Sequence, residues 1–166
     1  MNNIDLITAA AIHSPLKGIC DQVLSSSAPY SRSTMQGHIT ASGLVIRDGK
    51  VLLIFHPFIK QWFQLGGHID DGEDPIQAAI REVFEETGVT CEPLVGYSEP
   101  IDIDLHEIPE NPKKGEGPHL HIDLLFLLKV LSEGESSEGI RKTWLPFEEI
   151  TSVRIQRALK TLQSRT

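Results

Sequence analysis

The sequence predicts a mixed α/β (α+β) fold, with one mixed β-sheet packed between helices and a short helical extension ahead of it. Three observations carry that prediction. Strand-like and helix-like segments alternate irregularly, without the even spacing of βαβ units. One helix is punctuated at both ends, and a length of 166 residues suits one domain with one core. Residues 1–36 read as the helical extension and its connector, and residues 37–166 as the domain proper.

Taken in chain order, apolar residues at Ile4, Ile7 and Ala11, then at Ile19, Val23 and Leu24, suit one or two short helices. Pro15 separates them, because proline lacks the N–H that continues a helical ladder. The Ser-rich stretch 25–33, with Pro29, reads as a connection. From His38 the pattern turns strand-like: Ile39, Ala41 and residues 43–46 lead to an Asp48-Gly49 turn, and residues 51–55 return as the second arm of a hairpin. A short segment at 62–65 leads into Gly66-Gly67, and a helix is predicted over 75–87. Further strands are predicted at 94–101, 121–131 and 143–145, and a closing helix at 150–162.

Composition narrows the class of partner. No apolar run approaches the roughly 20 residues that cross a bilayer, and the formal net charge of -8 argues against a nucleic-acid polymer, whose binding depends on Lys and Arg. The N-terminus shows no basic region followed by an apolar run and cleavage site, and Cys20 and Cys91 stand alone without CxxC spacing. These features predict a soluble cytoplasmic protein with reduced thiols. An acidic chain that binds a small polyanion needs either a local basic cluster or a divalent metal held by its own carboxylates.

The helix at 75–87 is the most explicit element. Asp74 can cap its N-terminus, Pro75 suits the first helical position, Gln77 stands where a capping box places a polar partner, and Gly88 suits the stop. At about 100° per residue, Ile76, Ala79, Ile80, Val83 and Thr87 share the side expected to face the sheet. Glu82, Glu85 and Glu86 share a flank, where they repel one another. Arg81 lies one turn before Glu85 and can pair with it, and Glu73 can return towards Arg81. A hard divalent cation such as Mg²⁺, which prefers oxygen ligands, would neutralise the remaining charge. A bare E-x-x-E-E string reads more simply as a solvated acidic face; its surroundings argue otherwise.

Those surroundings are Gly67, five residues, Glu73, seven residues, then Arg81-Glu82-Val83-Phe84-Glu85-Glu86-Thr87-Gly88-Val89. The stretch resembles the complete box of the Nudix (MutT-like) hydrolase superfamily, G-x5-E-x7-R-E-U-x-E-E-x-G-U with U apolar. The resemblance implies an α/β/α sandwich around a mixed sheet. It implies Mg²⁺ or Mn²⁺ bound by Glu82, Glu85 and Glu86 with the carbonyl of Gly67, and an Arg81–Glu73 pair that orients the carboxylates. The implied catalytic set is Glu85, Arg81, Glu82 and Glu73. The implied activity is hydrolysis of a phosphoanhydride in a nucleoside diphosphate linked to another moiety, a small-molecule partner. Many relatives carry Pro before the two glycines; this chain has Leu65, which gives up a fixed φ and no proposed ligand.

Weaker signals lie elsewhere. His119, His121 and Asp123 alternate and so share one face of a strand, where they could contact substrate, support a site or hold an extra metal. His38 and His68 are further candidates beside them, and Trp62 with Phe63 could stack on a base. Residues 106–118, with Lys113-Lys114 among Pro and Gly, read as a solvated loop with a lid as the alternative. Trp144-Leu145-Pro146 resembles a late strand-to-helix stretch of Nudix chains. Two other functions fit the same fold. A catalytically weak sensor of nucleotide metabolites would show erosion of the acidic set, which is intact; an isoprenoid-diphosphate isomerase would need a catalytic cysteine in the site. The N-terminal helices offer a surface on which a homodimer could form.

Overall fold

The computed structural model describes residues 1–56 and 60–165. Its elements are α1 (Asn3–Ala11), α2 (Lys17–Leu24), β1 (Gly37–Arg47), β2 (Lys50–His56), β3 (Gln61–Phe63), β4 (Leu65–His68), α3 (Pro75–Thr87), β5 (Thr90–Pro93), β6 (Asp102–Ile108), β7 (His119–Ser132), β8 (Lys142–Pro146) and α4 (Val153–Ser164). The long strands β1 and β7 organise everything else. They pair in parallel from Gly37↔Leu120 to Val45↔Leu128. On the free edge of β1, β4 pairs antiparallel with Thr40 to Gly43, and β2 takes over at Ile46 and Arg47 as the hairpin partner. On the far edge of β7, β6 covers the first half and β5 the second, both antiparallel. Strands β3 and β8 flank β2.

Alternation along the strands gives the sheet two buried faces. One face carries Ile39, Ala41 and Val45 of β1 with Leu120, Ile122, Leu124, Phe126 and Leu128 of β7, packed with Ala79 and Val83 of α3. The same cluster takes in Ile7, Ala11, Cys20 and Val23 of α1 and α2, all at most 1% exposed, so the extension shares the domain's core. The opposite face carries Leu44, Leu125 and Leu127 against Ile155 and Ala158 of α4. Each fully buried aliphatic side chain contributes on the order of 1.5–3 kcal/mol of transfer free energy, and two apolar faces demand a helical layer on each side.

Helix α3 forms as its punctuation predicts. The Asp74 carboxylate accepts from the Ile76 N–H, and Gly88 closes the helix in the left-handed region at φ 76°. A side chain there would be strained, and its Cβ would lie 2.5 Å from the Glu135 backbone. The sheet-facing stripe is shifted slightly from expectation: Ala78 joins Ala79, Val83 and Thr87 as buried, while Ile76 and Ile80 are only half-buried. Helix α4 begins at Val153, after the predicted residue 150, because the Ser152 side chain caps it by accepting from the Ile155 N–H.

The strand predicted at 94–101 is a correction. That segment is a turn, closed by the Tyr97 N–H donating to the Leu94 carbonyl at 2.9 Å, with Gly96 at φ 87° and Val95 96% exposed. The strands lie on either side of it, as β5 and β6. The loop predicted from residue 106 starts later, since β6 continues to Ile108; beyond it Pro112–Lys114 forms a short 3-10 turn bracketed by an Asn111–Glu116 bridge.

Candidate active site

Strand β4 and helix α3 meet where the chain has two glycines, and the reason is spatial. A Cβ on Gly67 would lie 2.6 Å from the Glu82 carboxyl carbon, and one on Gly66 would lie 2.3 Å from Ser42 Oγ and 2.6 Å from the Ala41 carbonyl. Only glycine lets the helix bring its carboxylates against this backbone. The Gly66 N–H donates to Glu86 Oε1 at 2.8 Å.

A single guanidinium organises the acidic group. Arg81 grips Glu73 with two bonds, Nε to Oε2 and Nη2 to Oε1, both 2.9 Å. Its Nη1 donates to Glu82 Oε1 at 3.0 Å and Glu85 Oε2 at 3.3 Å, and its Nη2 also reaches the His68 carbonyl at 3.0 Å. The bidentate fork is the geometry in which arginine orients carboxylates best. The Arg81 hydrogen bonds hold the Glu73 carboxyl below the usual range, while the same contacts raise Arg81 further above an already high value.

One cation does not balance the charge. Burial, reinforced by Glu85 and Glu138, pushes the Glu82 carboxyl up in spite of Arg81. Burial pushes Glu86 up to about 8, against the Gly66 hydrogen bond, with Glu82, Glu138 and Glu85 adding repulsion. A pocket of carboxylate oxygens beside a peptide carbonyl, undercompensated and partly desolvated, fits a hard divalent cation in donor type and charge. Glu82, Glu85 and Glu86, with the Gly67 backbone against Glu82, are the residues that would hold it.

Across the Gly66-Gly67 backbone lies a second polar group, built in rows over the sheet face that carries α4. Register sets His38, His121 and His106 side by side on β1, β7 and β6, and Thr40, Asp123 and Asp104 in the next row, with His68 of β4 opposite Thr40. Asp123, 5% exposed, accepts from Thr40 Oγ1 and Ser42 Oγ, both at 2.6 Å, and from Arg154 Nη1. Arg154 also reaches the Asp123 carbonyl and Asp102, and Arg157 holds Asp102 with two bonds of 2.7 and 2.8 Å. A cavity of about 290 Å³ opens here, lined by Gly66, Gly67, His68, His121, Asp123 and Arg154. Beyond it a cleft of about 790 Å³ runs past Trp62, Phe63, Gln64, Asp104 and His106.

Residues 37–163 match the family model of the NUDIX domain. The chain belongs to the Nudix family. It is similar to a probable DHNTP pyrophosphohydrolase of Lactococcus lactis subsp. cremoris, 37% identical over 92 residues, which is 55% of this chain and 54% of that one. It is also similar to phosphatase NudJ of Escherichia coli, 34% identical over 58 residues, 34% of this chain and 38% of that one. The match thus spans about half, or less, of the length of these curated relatives. Among solved structures, a Nudix hydrolase from Clostridium perfringens superposes with a TM-score of 0.61 at 23% identity, over 78% of this chain and 98% of that one, a likeness of fold.

The structure brings the predicted Nudix-box residues together: Gly67, Glu73, Arg81, Glu82, Glu85 and Glu86 form one connected group. His38, His119 and His121 converge nearby, their nitrogens within 4.8 Å of one another. Asp123 shares β7 with His119 and His121 but turns its carboxylate to Arg154. Trp62 borders the cleft, its ring edge-on to Phe55 at 5.2 Å with the Arg141 guanidinium at the same distance. Sequence reasoning missed Arg154, Arg157, Asp102 and Asp104, whose only visible trace was an unexplained pair of arginines on the last helix. It also missed Glu138, whose loop gives no signal. Cys91, the nearest cysteine to the box in sequence, is 4% exposed on β5 with its thiol pushed up to about 11 by burial, which argues against the isomerase reading. Among the described residues no helix is long and apolar enough to cross a membrane.

Proposed function

We propose that this Nudix protein is a divalent-metal-dependent pyrophosphohydrolase, cleaving a phosphoanhydride in a nucleoside diphosphate linked to a further group. One observation carries the reading: Arg81 gathers carboxylates at the Gly66-Gly67 backbone into an all-oxygen pocket with uncompensated negative charge, beside a polar cavity. Glu82, Glu85, Glu86 and the Gly67 carbonyl would hold Mg²⁺ or Mn²⁺. When bound, such an ion lowers the pKa of water and stabilises charge on phosphoryl oxygens.

The chain's own residues do the rest. Glu73 fixes the guanidinium of Arg81, which in turn fixes the Glu82 and Glu85 carboxylates, so that no reorientation is needed as charge develops. The Glu85 side chain is 40% exposed against 17% for Glu82, and Glu85 is assigned the proton of the attacking water. Trp62 offers a stacking surface on the cleft wall, and Asp123 acts indirectly, by holding Arg154 at the cavity. The name of the Lactococcus relative, a probable DHNTP pyrophosphohydrolase, supports the reaction class.

The test is a substrate panel. Purified protein is incubated with nucleoside triphosphates, DHNTP, ADP-ribose, dinucleoside polyphosphates and sugar nucleotides, with and without Mg²⁺ or Mn²⁺, and phosphate products are followed. Metal-dependent turnover of at least one compound is expected. Binding without turnover across the whole panel would instead identify a sensor built on a Nudix fold.

A further inference from the structure

The imidazoles beside the cavity have a chemistry distinct from that of the carboxylates. His38 on β1 and His121 on β7 are direct register partners in the parallel pair, and His119 stands two residues before His121 on the same face. One nitrogen from each of the three lies within 4.8 Å of the others. His119 Nε2 and His121 Nε2 are 3.3 Å apart, close to the edge of a tetrahedron whose centre lies about 2.0–2.1 Å from each nitrogen, the usual Zn–N distance.

Two further features point to a ligand. His38 is 4% exposed, and neither of its ring nitrogens makes a well-formed hydrogen bond, the Thr34 backbone being its nearest polar partner. A buried imidazole so poorly hydrogen-bonded calls for an occupant. His119 Nδ1 lies 2.9 Å from the Gly117 carbonyl, which can only accept, so Nδ1 carries the proton and Nε2 keeps its lone pair facing the group. A backbone carbonyl on the outer nitrogen is the arrangement that orients metal-ligating histidines.

We propose that His38, His119 and His121 form a binding site for a borderline-soft divalent ion such as Zn²⁺, separate from the carboxylate pocket. Imidazole nitrogen suits such ions and not Mg²⁺, which keeps to oxygen. Three protein ligands leave a fourth position on the ion. His68 packs beside the trio, with ring centroids 5.0 Å from His38 and 5.6 Å from His121. A small cavity lined by Arg32, Thr34, His38, Gly115, Glu116 and His119 adjoins the site.

The test uses the full chain, stripped with a chelator and titrated calorimetrically with Zn²⁺ in excess Mg²⁺, with Co²⁺ as a spectroscopic probe. One Zn²⁺ per chain is expected, retained in Glu85→Gln, and the Co²⁺ form should show visible bands of a four-coordinate, nitrogen-rich centre. His121→Gln and His119→Gln should weaken uptake by more than about 100-fold, exceeding the 10–100-fold losses typical of outer-shell changes. His119 is partly exposed, so its variant keeps the test available if the buried substitution unfolds the chain; the metal-free melting temperature and circular dichroism of each variant check this. No Zn²⁺ uptake in excess Mg²⁺ would overturn the proposal. So would uptake that Glu85→Gln abolishes while His119→Gln and His121→Gln leave it unchanged, since the ion would then sit among the carboxylates.

Discussion

Glu86→Gln separates the cost of the acidic pocket from its use. The Glu86 carboxyl is raised from 4.5 to about 8, chiefly by burial. Between those two values the folded protein keeps a proton that the unfolded chain has released, so its contribution to stability is complete below pH 4.5 and is lost as pH rises through about 8. Each pH unit across that window is worth about 1.4 kcal/mol at most, which sets a ceiling of about 3 kcal/mol at pH 7; water reaching the half-buried group lowers this to roughly 1–3 kcal/mol. Glutamine keeps an oxygen for the Gly66 N–H and carries no charge. In chelator at pH 7–8 the variant should therefore be more stable than the parent by roughly 1–3 kcal/mol, or about 2–10 °C in melting temperature for a chain of this size. At pH 5 the two should nearly coincide. Saturating Mg²⁺ should stabilise the parent and not the variant, and turnover in the variant should fall by at least about 10²-fold. Chemical denaturation over pH 5–8, with and without Mg²⁺, measures all three. A variant less stable than the parent at pH 8 without metal, or a metal response unchanged by the substitution, would refute the reasoning.

Other perturbations reach different parts of the site. Gly67→Ala sets a methyl 2.6 Å from the Glu82 carboxyl; it should cost about 1–3 kcal/mol by overcrowding and weaken Mg²⁺ uptake, both read by calorimetry. Arg154→Met leaves Asp123 and Asp102 without their buried cation, and a loss of about 3–5 kcal/mol is expected in urea denaturation; the double variant Arg154→Met with Asp123→Asn should recover part of it. Hydrogen bonding from His106, with Arg154 and Arg157 behind it, holds Asp104 down to about 2 from 3.8, so its contribution is present above pH 3.8 and lost as pH falls through about 2. Asp104→Asn should accordingly flatten the acid limb of the stability profile in that window. Trp62→Ala should raise KM for an aromatic nucleotide more than it lowers kcat, as steady-state kinetics on the best substrate of the panel will report.

Different parts of this fold were legible to different degrees. The box helix was readable because Asp74, Pro75 and Gly88 mark its ends locally, and the spacing of Glu82, Glu85 and Glu86 fixes their shared flank without tertiary information. The segment at 94–101 misled because Leu94, Val95, Tyr97 and Ile101 are apolar and read as a strand. The true strand, Asp102–Ile108, looks hydrophilic because Asp102 and Asp104 face Arg154 and Arg157, which lie more than 50 positions away. His38 gave only a weak signal for a similar reason: what brings it beside His121 is a parallel register between distant strands, which no local pattern encodes. The box carboxylates were therefore readable one helix at a time, whereas the imidazole and arginine groups exist only once the sheet is assembled.

That parallel pair also bears on how the chain is made. Thr40 and Asp123, which share a hydrogen bond, are 83 positions apart, so a chain emerging from the ribosome can complete the box helix long before β1 has its principal neighbour. Until β7 arrives, the apolar flank of β1 has no strand to shield it, and closing so long a loop is slow. Synthesis that stalls between the box and β7 would release a species with an intact acidic helix, no polar cavity and an open sheet edge, the kind of intermediate that chaperones retain and that aggregates when they do not.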